Sequence, residues 1–197
     1  MEPLTEHSGT ALVLRRGDVD TDQIIPAEFC KRLTKSGYED TLFHAWMQDP
    51  EFVFNDPARR QASVLVAGHN FGTGSSREHA VWALRDWGIR VVIGTSFGDI
   101  FFRNAWKNGV LAVQLPESVV DTLASKVDAD PSFVVTVDVE ACEVRASGLT
   151  HGFQIDKRPR WLLLNGLDDI AVTLGRDELI TGFEAGRKPW LPRVGAA

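Results

Sequence analysis

The stretch Asn70 to Ala80, NFGTGSSREHA, gathers residue types that hold small anions and move protons on them. Gly72 and Gly74 let the backbone turn tightly. Ser75, Ser76 and Arg77 then fall in the predicted first turn of a helix. The N–H groups of a helix start have no intrahelical acceptor, the dipole end there is positive, and a guanidinium adds a full charge. A serine in that field can have its alkoxide stabilised, which makes it a candidate base or nucleophile. The chemistry to expect is that of a small carboxylate- or phosphate-bearing molecule.

A plainer reading competes with this one. Ser75-x-x-Glu78 has the spacing of a capping box, in which the hydroxyl only holds a backbone N–H. With two adjacent hydroxyls, one serine can cap while the other faces a ligand, and the local sequence leaves open which does which. Other phosphate or nucleophile loops fail: Arg77 occupies the third glycine position of a dinucleotide fingerprint, and neither a G-x-x-x-x-G-K-[ST] loop nor G-x-S-x-G is present. Arg77 sits where the dipole disfavours a cation, so an anionic partner explains it better than solvent does. His79, four residues after Ser75, can approach it along the helix face, although packing is the ordinary role of such a histidine. The five histidines show no ligand spacing, and the trio Asp18, Asp20 and Asp22 lacks the glycine and terminal glutamate of a calcium loop. No metal site is expected.

The elements that must position these residues form a regular pattern from residue 62 onward. An apolar strand at 62–67 leads into the glycine turn and a helix at 75–87, with Ala80, Ala83, Leu84 and Trp87 at i, i+3, i+4 and i+7, stopped by Gly88. A strand at 89–93, a helix at 99–107, a strand at 110–115 and a helix opened by Pro116 continue the alternation, which predicts parallel crossovers. An earlier strand is expected at 10–14. After Pro131 the spacing changes to period two at 133–139 and 142–146, which predicts antiparallel strands. A helical region at 159–174, broken at Asn165-Gly166, precedes a tail from about residue 175 with Gly182, Phe183, Gly186, Pro189, Trp190 and Pro192. Residues 27–60 give only short helical pieces, near 29–33 and 42–47.

The 197 residues, 44% of them hydrophobic, suit one soluble α/β unit. A net charge of −6 argues against a nucleic-acid surface that works by bulk attraction. No apolar run reaches membrane-span length, and the acidic start MEPLTEHSG has no signal or transit character. Two distant cysteines, Cys30 and Cys142, predict a reducing, cytoplasmic setting without a disulfide framework.

Two separated blocks, GDVDTDQIIPA (17–27) and VAGHNFGTGSSREHAVWAL (66–84), together resemble the 3-isopropylmalate dehydratase small-subunit family, relatives of aconitase. SFGDIFFRNAWKNGVL (96–111) and LLNGLDDIAVTL (163–174) fit the same family in the same order. The resemblance implies an aconitase-like swivelling β/β/α domain with a mixed sheet, residues 1–197 forming one such domain with an extension from about 175. It also implies an enzyme split between two chains: a large subunit carrying a [4Fe–4S] cluster, and this chain binding none. The substrate would be a small dicarboxylate, isomerised by loss and re-addition of water in leucine biosynthesis.

Carried over by residue, the resemblance makes Ser75 the base and Asp22 the carboxylate that assists departure of the hydroxyl. Ser76 and Arg77 become substrate-carboxylate ligands, with Arg32 a further one, and Gly72, Gly74, Glu78 and His79 support them. Thr73 stands where many relatives have cysteine, a position that is no cluster ligand. Two other readings stay open: a homoaconitase- or citraconate-type hydro-lyase subunit, decided by the loop Phe29 to Tyr38 with its Leu33, and a non-catalytic anion-binding module.

Overall fold

The computed structural model describes residues 1–188 and 190–192, so Pro189 of the tail lies outside the described residues. Seven strands form one mixed sheet: β1 (Glu6–Leu14), β2 (Val64–Ala67), β3 (Val91–Gly94), β4 (Leu111–Gln114), β5 (Val134–Asp138), β6 (Glu143–Ala146) and β7 (Leu149–Gly152), in the order β4-β3-β2-β1-β5-β6-β7. β1 joins the two halves. Its residues Ala11 to Leu14 pair in parallel with β2, and Glu6 to Thr10 pair antiparallel with β5. The sequence shows this switch directly. ALVL, VLVA and VVIG are continuously apolar because both faces of the parallel half are covered, whereas β5 alternates in burial as a strand with one open face does.

The helices are α1 (Thr21–Ile24), α2 (His79–Trp87), α3 (Asp99–Lys107), α4 (Glu117–Ala129), α5 (Lys157–Asn165), α6 (Asp169–Leu174) and α7 (Asp177–Ala185). Side chains of the parallel strands divide by parity. Leu12, Leu14, Leu65, Ala67 and Val92 face a core shared with α1, α2 and an aromatic cluster of Phe43, Phe52 and Phe54. Ala11, Val13, Val64, Val66, Val91 and Ile93 face α4, α5 and the antiparallel strands. Each fully buried Leu or Val contributes roughly 1.5–3 kcal/mol, so these two layers fix the sheet against which the loops are measured. Arg59, only 7% exposed, ties the layers: its guanidinium donates to Val127 O (2.9 Å) and Asp128 O (3.4 Å) at the end of α4 and to Ala11 O (3.3 Å) in β1.

The strands and helices expected from residue 62 onward are found, with changes at their edges. α2 starts at His79 rather than at 75, because the side chains of Ser75, Arg77 and Glu78 are engaged elsewhere, as set out below. β1 begins at Glu6, its polar first half having no apolar run to mark it. The short pieces near 29–33 and 42–47 are 3₁₀ turns at Ala27–Lys31 and Trp46–Gln48. β7 was not expected; it pairs with β6 through a two-residue turn at Ser147 and Gly148, whose φ is +72°. The break at Asn165-Gly166 is real, with Gly166 in the left-handed region. The tail carries α7, with Phe183 and Trp190 exposed. Among the described residues no helix is long and apolar enough to cross a membrane.

Candidate functional site

Three loops leave the C-terminal ends of β1, β2 and β3, the edge where open α/β sheets hold ligands. The middle loop, after β2, is laced to both neighbours. Toward the β1 loop, Gly72 N–H donates to Val19 O (2.7 Å) and Thr73 O accepts from Thr21 N–H (3.0 Å). Toward the β3 loop, Phe71 N–H donates to Ser96 O (3.2 Å), Asn70 N–H to Ser96 Oγ (2.8 Å), and Phe71 O accepts from Gly98 N–H (2.9 Å). Isolated bridges at Asp20–Thr73 and Phe71–Phe97 thus prolong the parallel sheet into its loops. This lacing needs glycine at 72, where φ is +75° and a Cβ would fall inside the Phe101 ring. Gly74, at φ +92°, then turns the chain outward beneath Asp20.

The turn delivers the predicted residues to one surface. Asp22 of α1 accepts a hydrogen bond from Arg77, so the two predicted blocks meet through an ion pair. The Ser75 hydroxyl lies 2.9 Å from the Thr21 hydroxyl. Ser75 and Ser76 are exposed and Arg77 is half-buried. Cys30 sits close enough to feel both charges of the pair: burial pushes its thiol up, Arg77 pulls it down and Asp22 raises it. Among the described residues the backbone N–H groups of residues 75–79 find no acceptor, which leaves a positive, donor-rich entrance to α2.

The capping box expected from Ser75 and Glu78 does not form. Glu78 accepts from Asn108 Nδ2 (2.7 Å), while Asn108 Oδ1 accepts from Trp82 Nε1 (2.8 Å), so the carboxylate is committed to α3 and cannot reach back. Neither serine caps α2, which answers the question left open by the sequence. The capping box of this site belongs to α1 instead: Asp20 accepts from Gln23 N–H (2.8 Å) and Gln23 Oε1 accepts from Asp20 N–H (2.9 Å). The acidic trio accordingly diverges. Asp18 takes Asn70 (2.8 Å) and His69 (3.1 Å), Asp20 caps, and Asp22 holds Arg77. No group of three His, Cys, Asp or Glu among the described residues could hold a metal ion.

Two predicted residues stand apart. Arg32 is clasped within its own loop, donating to both oxygens of Asp40 (2.9 and 3.0 Å) and to Gly37 O. His79 packs edge-on against Tyr38 (5.6 Å between ring centroids) and tilted on Trp82 (4.6 Å). Burial, foremost, lowers its pKa from the ordinary 6.5, with Arg77 adding to the effect and Glu78 opposing it. It works as an aromatic prop and has no hydrogen bond to Ser75. Thr21 and Tyr38 escaped the sequence reading. Thr21 was visible inside DTDQI, but nothing in its spacing ties it to Ser75. Tyr38 closes the 29–38 loop, its buried hydroxyl within donating reach of Thr34 O (2.9 Å) and Arg32 O (3.2 Å); a lone tyrosine carries no sequence signal for that role.

This architecture, a mixed sheet with the candidate site on the loops of its parallel half, is that of the aconitase C-terminal domain. A family model described as the aconitase C-terminal domain matches residues 1–118, which include every residue of the candidate site. The 3-isopropylmalate dehydratase small subunits of Streptomyces griseus and Frankia alni are each 55% identical to the chain, the first over 100% of both chains and the second over 98% of both. The crystal structure of 3-isopropylmalate dehydratase from Methanocaldococcus jannaschii superposes with a TM-score of 0.65 at 27% identity, covering 91% of this chain and 99% of that one. The chain belongs to the 3-isopropylmalate dehydratase small-subunit family, within the aconitase superfamily.

Proposed function

We propose that the chain is the proton-handling half of a 3-isopropylmalate dehydratase and works only when a large subunit closes over the loops described above. The observation that carries this reading is the exposure of Ser75 beside the Arg77–Asp22 pair. An alkoxide base needs positive potential and exclusion of water. The chain supplies the first through Arg77 and the start of α2, and a second surface has to supply the other.

Cys30 and Cys142 pack on opposite faces of the sheet, which supports placing the thiolates of an iron–sulfur cluster on another chain. The reading places a [4Fe–4S] cluster on the large subunit, where an open iron would act as Lewis acid on the substrate's hydroxyl. On this chain, Arg77 and Ser76 hold a carboxylate of 2-isopropylmalate. Ser75 takes the proton from the methylene carbon next to that carboxylate, and the hydroxyl leaves the neighbouring carbon with help from Asp22. Water then adds to 2-isopropylmaleate in the opposite sense, and Ser75 returns the proton to the carbon bearing the isopropyl group. Arg32 joins only if substrate draws it from Asp40. The whole chain moves as one swivelling unit, with the segment from about 175 as its extension, in the cytoplasm.

The test is to purify the chain with its cognate large subunit, reconstitute the cluster anaerobically and follow isomerisation. Ser75→Ala is expected to lower kcat by roughly 10²–10⁴-fold with little change in KM. Full turnover by that variant, or by the isolated chain, would sink the assignment. Turnover of homocitrate in preference to 2-isopropylmalate would move the chain to the homoaconitase-type reading.

A further inference from the structure

Resting on the reading of Ser75 as base, we propose that Thr21 is its positioning residue, the hydrogen-bond donor that makes the alkoxide form accessible. Thr21 is 1% exposed, and among the described residues its Oγ1 has two partners, both on one residue: Ser75 Oγ at 2.9 Å and Ser75 O at 3.4 Å. A buried hydroxyl has to place its single proton on one of them. When Ser75 is neutral, either oxygen of the hydroxyl pair can be donor, and the Thr21 proton can rest on the Ser75 carbonyl. Once Ser75 has lost its proton it can only accept, so the Thr21 hydroxyl turns to donate into the alkoxide. A hydrogen bond to a charged acceptor is about twice as strong as one between neutral groups, so the contact favours the charged state selectively.

The geometry suits this task. Thr21 reaches Ser75 from the protein side, leaving the opposite side of Ser75 open to solvent and ligand. Its own backbone is fixed, with N–H on Thr73 O (3.0 Å) and O accepting from Ile25 N–H (3.0 Å). The capping work of α1 is done by Asp20, so the Thr21 hydroxyl has no competing local duty. Gly74 is set by its backbone, with φ at +92°, rather than by space: a Cβ placed there would make ordinary contacts with Asp20 Cβ at 3.4 Å and Thr21 Oγ1 at 3.7 Å. Thr21 and Arg77 then divide the stabilisation, one by a directed hydrogen bond and the other by charge.

The experiment compares Thr21→Val, which keeps shape and removes the hydroxyl, with Thr21→Ser, which keeps the hydroxyl, in the reconstituted two-subunit enzyme. Thr21→Val is expected to lower kcat about 10- to 100-fold with KM changed less than about twofold, as for a hydrogen bond made to a charge that exists only during reaction. The rising limb of its kcat–pH profile should move to higher pH, because the base has become harder to ionise. Thr21→Ser should restore both rate and profile. The melting temperature of each isolated chain is measured alongside. Activity loss in both variants that follows a fall in melting temperature, with the pH limb unmoved, would reduce Thr21 to a packing residue and overturn the proposal. So would an unchanged kcat in Thr21→Val while Ser75→Ala is inactive. An active Ser75→Ala variant would instead remove the base reading, and this inference with it.

Discussion

Asp22 and Arg77 are fifty-five positions apart in sequence and form an ion pair that closes the gap between the first and second loops of the sheet edge. In the free chain each neutralises the other, so an arriving carboxylate competes with Asp22 for the guanidinium. Arg77→Gln is therefore expected to raise KM about 10- to 100-fold, the cost of losing hydrogen bonds to a charged group. Asp22→Asn should lower kcat without weakening substrate binding, since it frees Arg77. Steady-state kinetics of both variants in the assembled enzyme check this, and a large KM increase in Asp22→Asn would contradict the competition.

Gly72 and Gly37 both have positive φ, +75° and +86°, but only Gly72 is crowded. Gly37→Ala meets nothing within 4 Å and should cost roughly 1–2 kcal/mol, the backbone penalty alone. Gly72→Ala adds an overlap with the Phe101 ring, a further 1–3 kcal/mol or so. Denaturant unfolding of the two variants should separate them in that order, and Gly72→Ala should also displace Ser75.

His79 titrates below its ordinary value, chiefly because it is buried. The folded state then resists a proton that the unfolded state accepts. Stability contributed by the neutral ring is complete above the unfolded value of 6.5 and falls as pH drops below it. His7, lowered by burial and by Arg90, acts in the same direction. Melting curves between pH 7.5 and 5.5 should show a shallower decline for His79→Phe than for the parent chain, with the remaining slope partly owed to His7.

Arg59 satisfies three backbone carbonyls in a site shielded from water. Arg59→Met keeps the bulk and orphans those acceptors, at a cost of about 1–3 kcal/mol. For a chain of this size that corresponds to a fall in melting temperature of roughly 2–12 °C. An unchanged melting temperature would show that other donors replace the guanidinium.

Much of the architecture was legible before folding because burial leaves a periodic trace. The apolar runs at 10–14, 62–67 and 89–93 announced strands, and Ala80, Ala83, Leu84 and Trp87 announced α2. The start of α2 was misplaced because Ser75 and Glu78 have the spacing of a cap, while their partners, Thr21 and Asn108, lie fifty-four and thirty residues away. Local rules weigh neighbours in sequence and cannot see such competitors. β7 and α7 were missed for a related reason: LTHG is too short to show a period, and α7 buries no residue.

The sequence by itself determined which groups the chain owns: two glycines that permit the turn, two hydroxyls and a guanidinium beyond them, an aspartate in a second block, and too few thiols for a cluster. Only the tertiary structure decided their partners. It gave Ser75 to Thr21, Arg77 to Asp22, Glu78 to Asn108 and Arg32 to Asp40. Residue type fixes what a side chain can donate or accept. Which partner it finds depends on how the sheet brings three loop ends to one edge, and that placement is set by the packing of both faces at once.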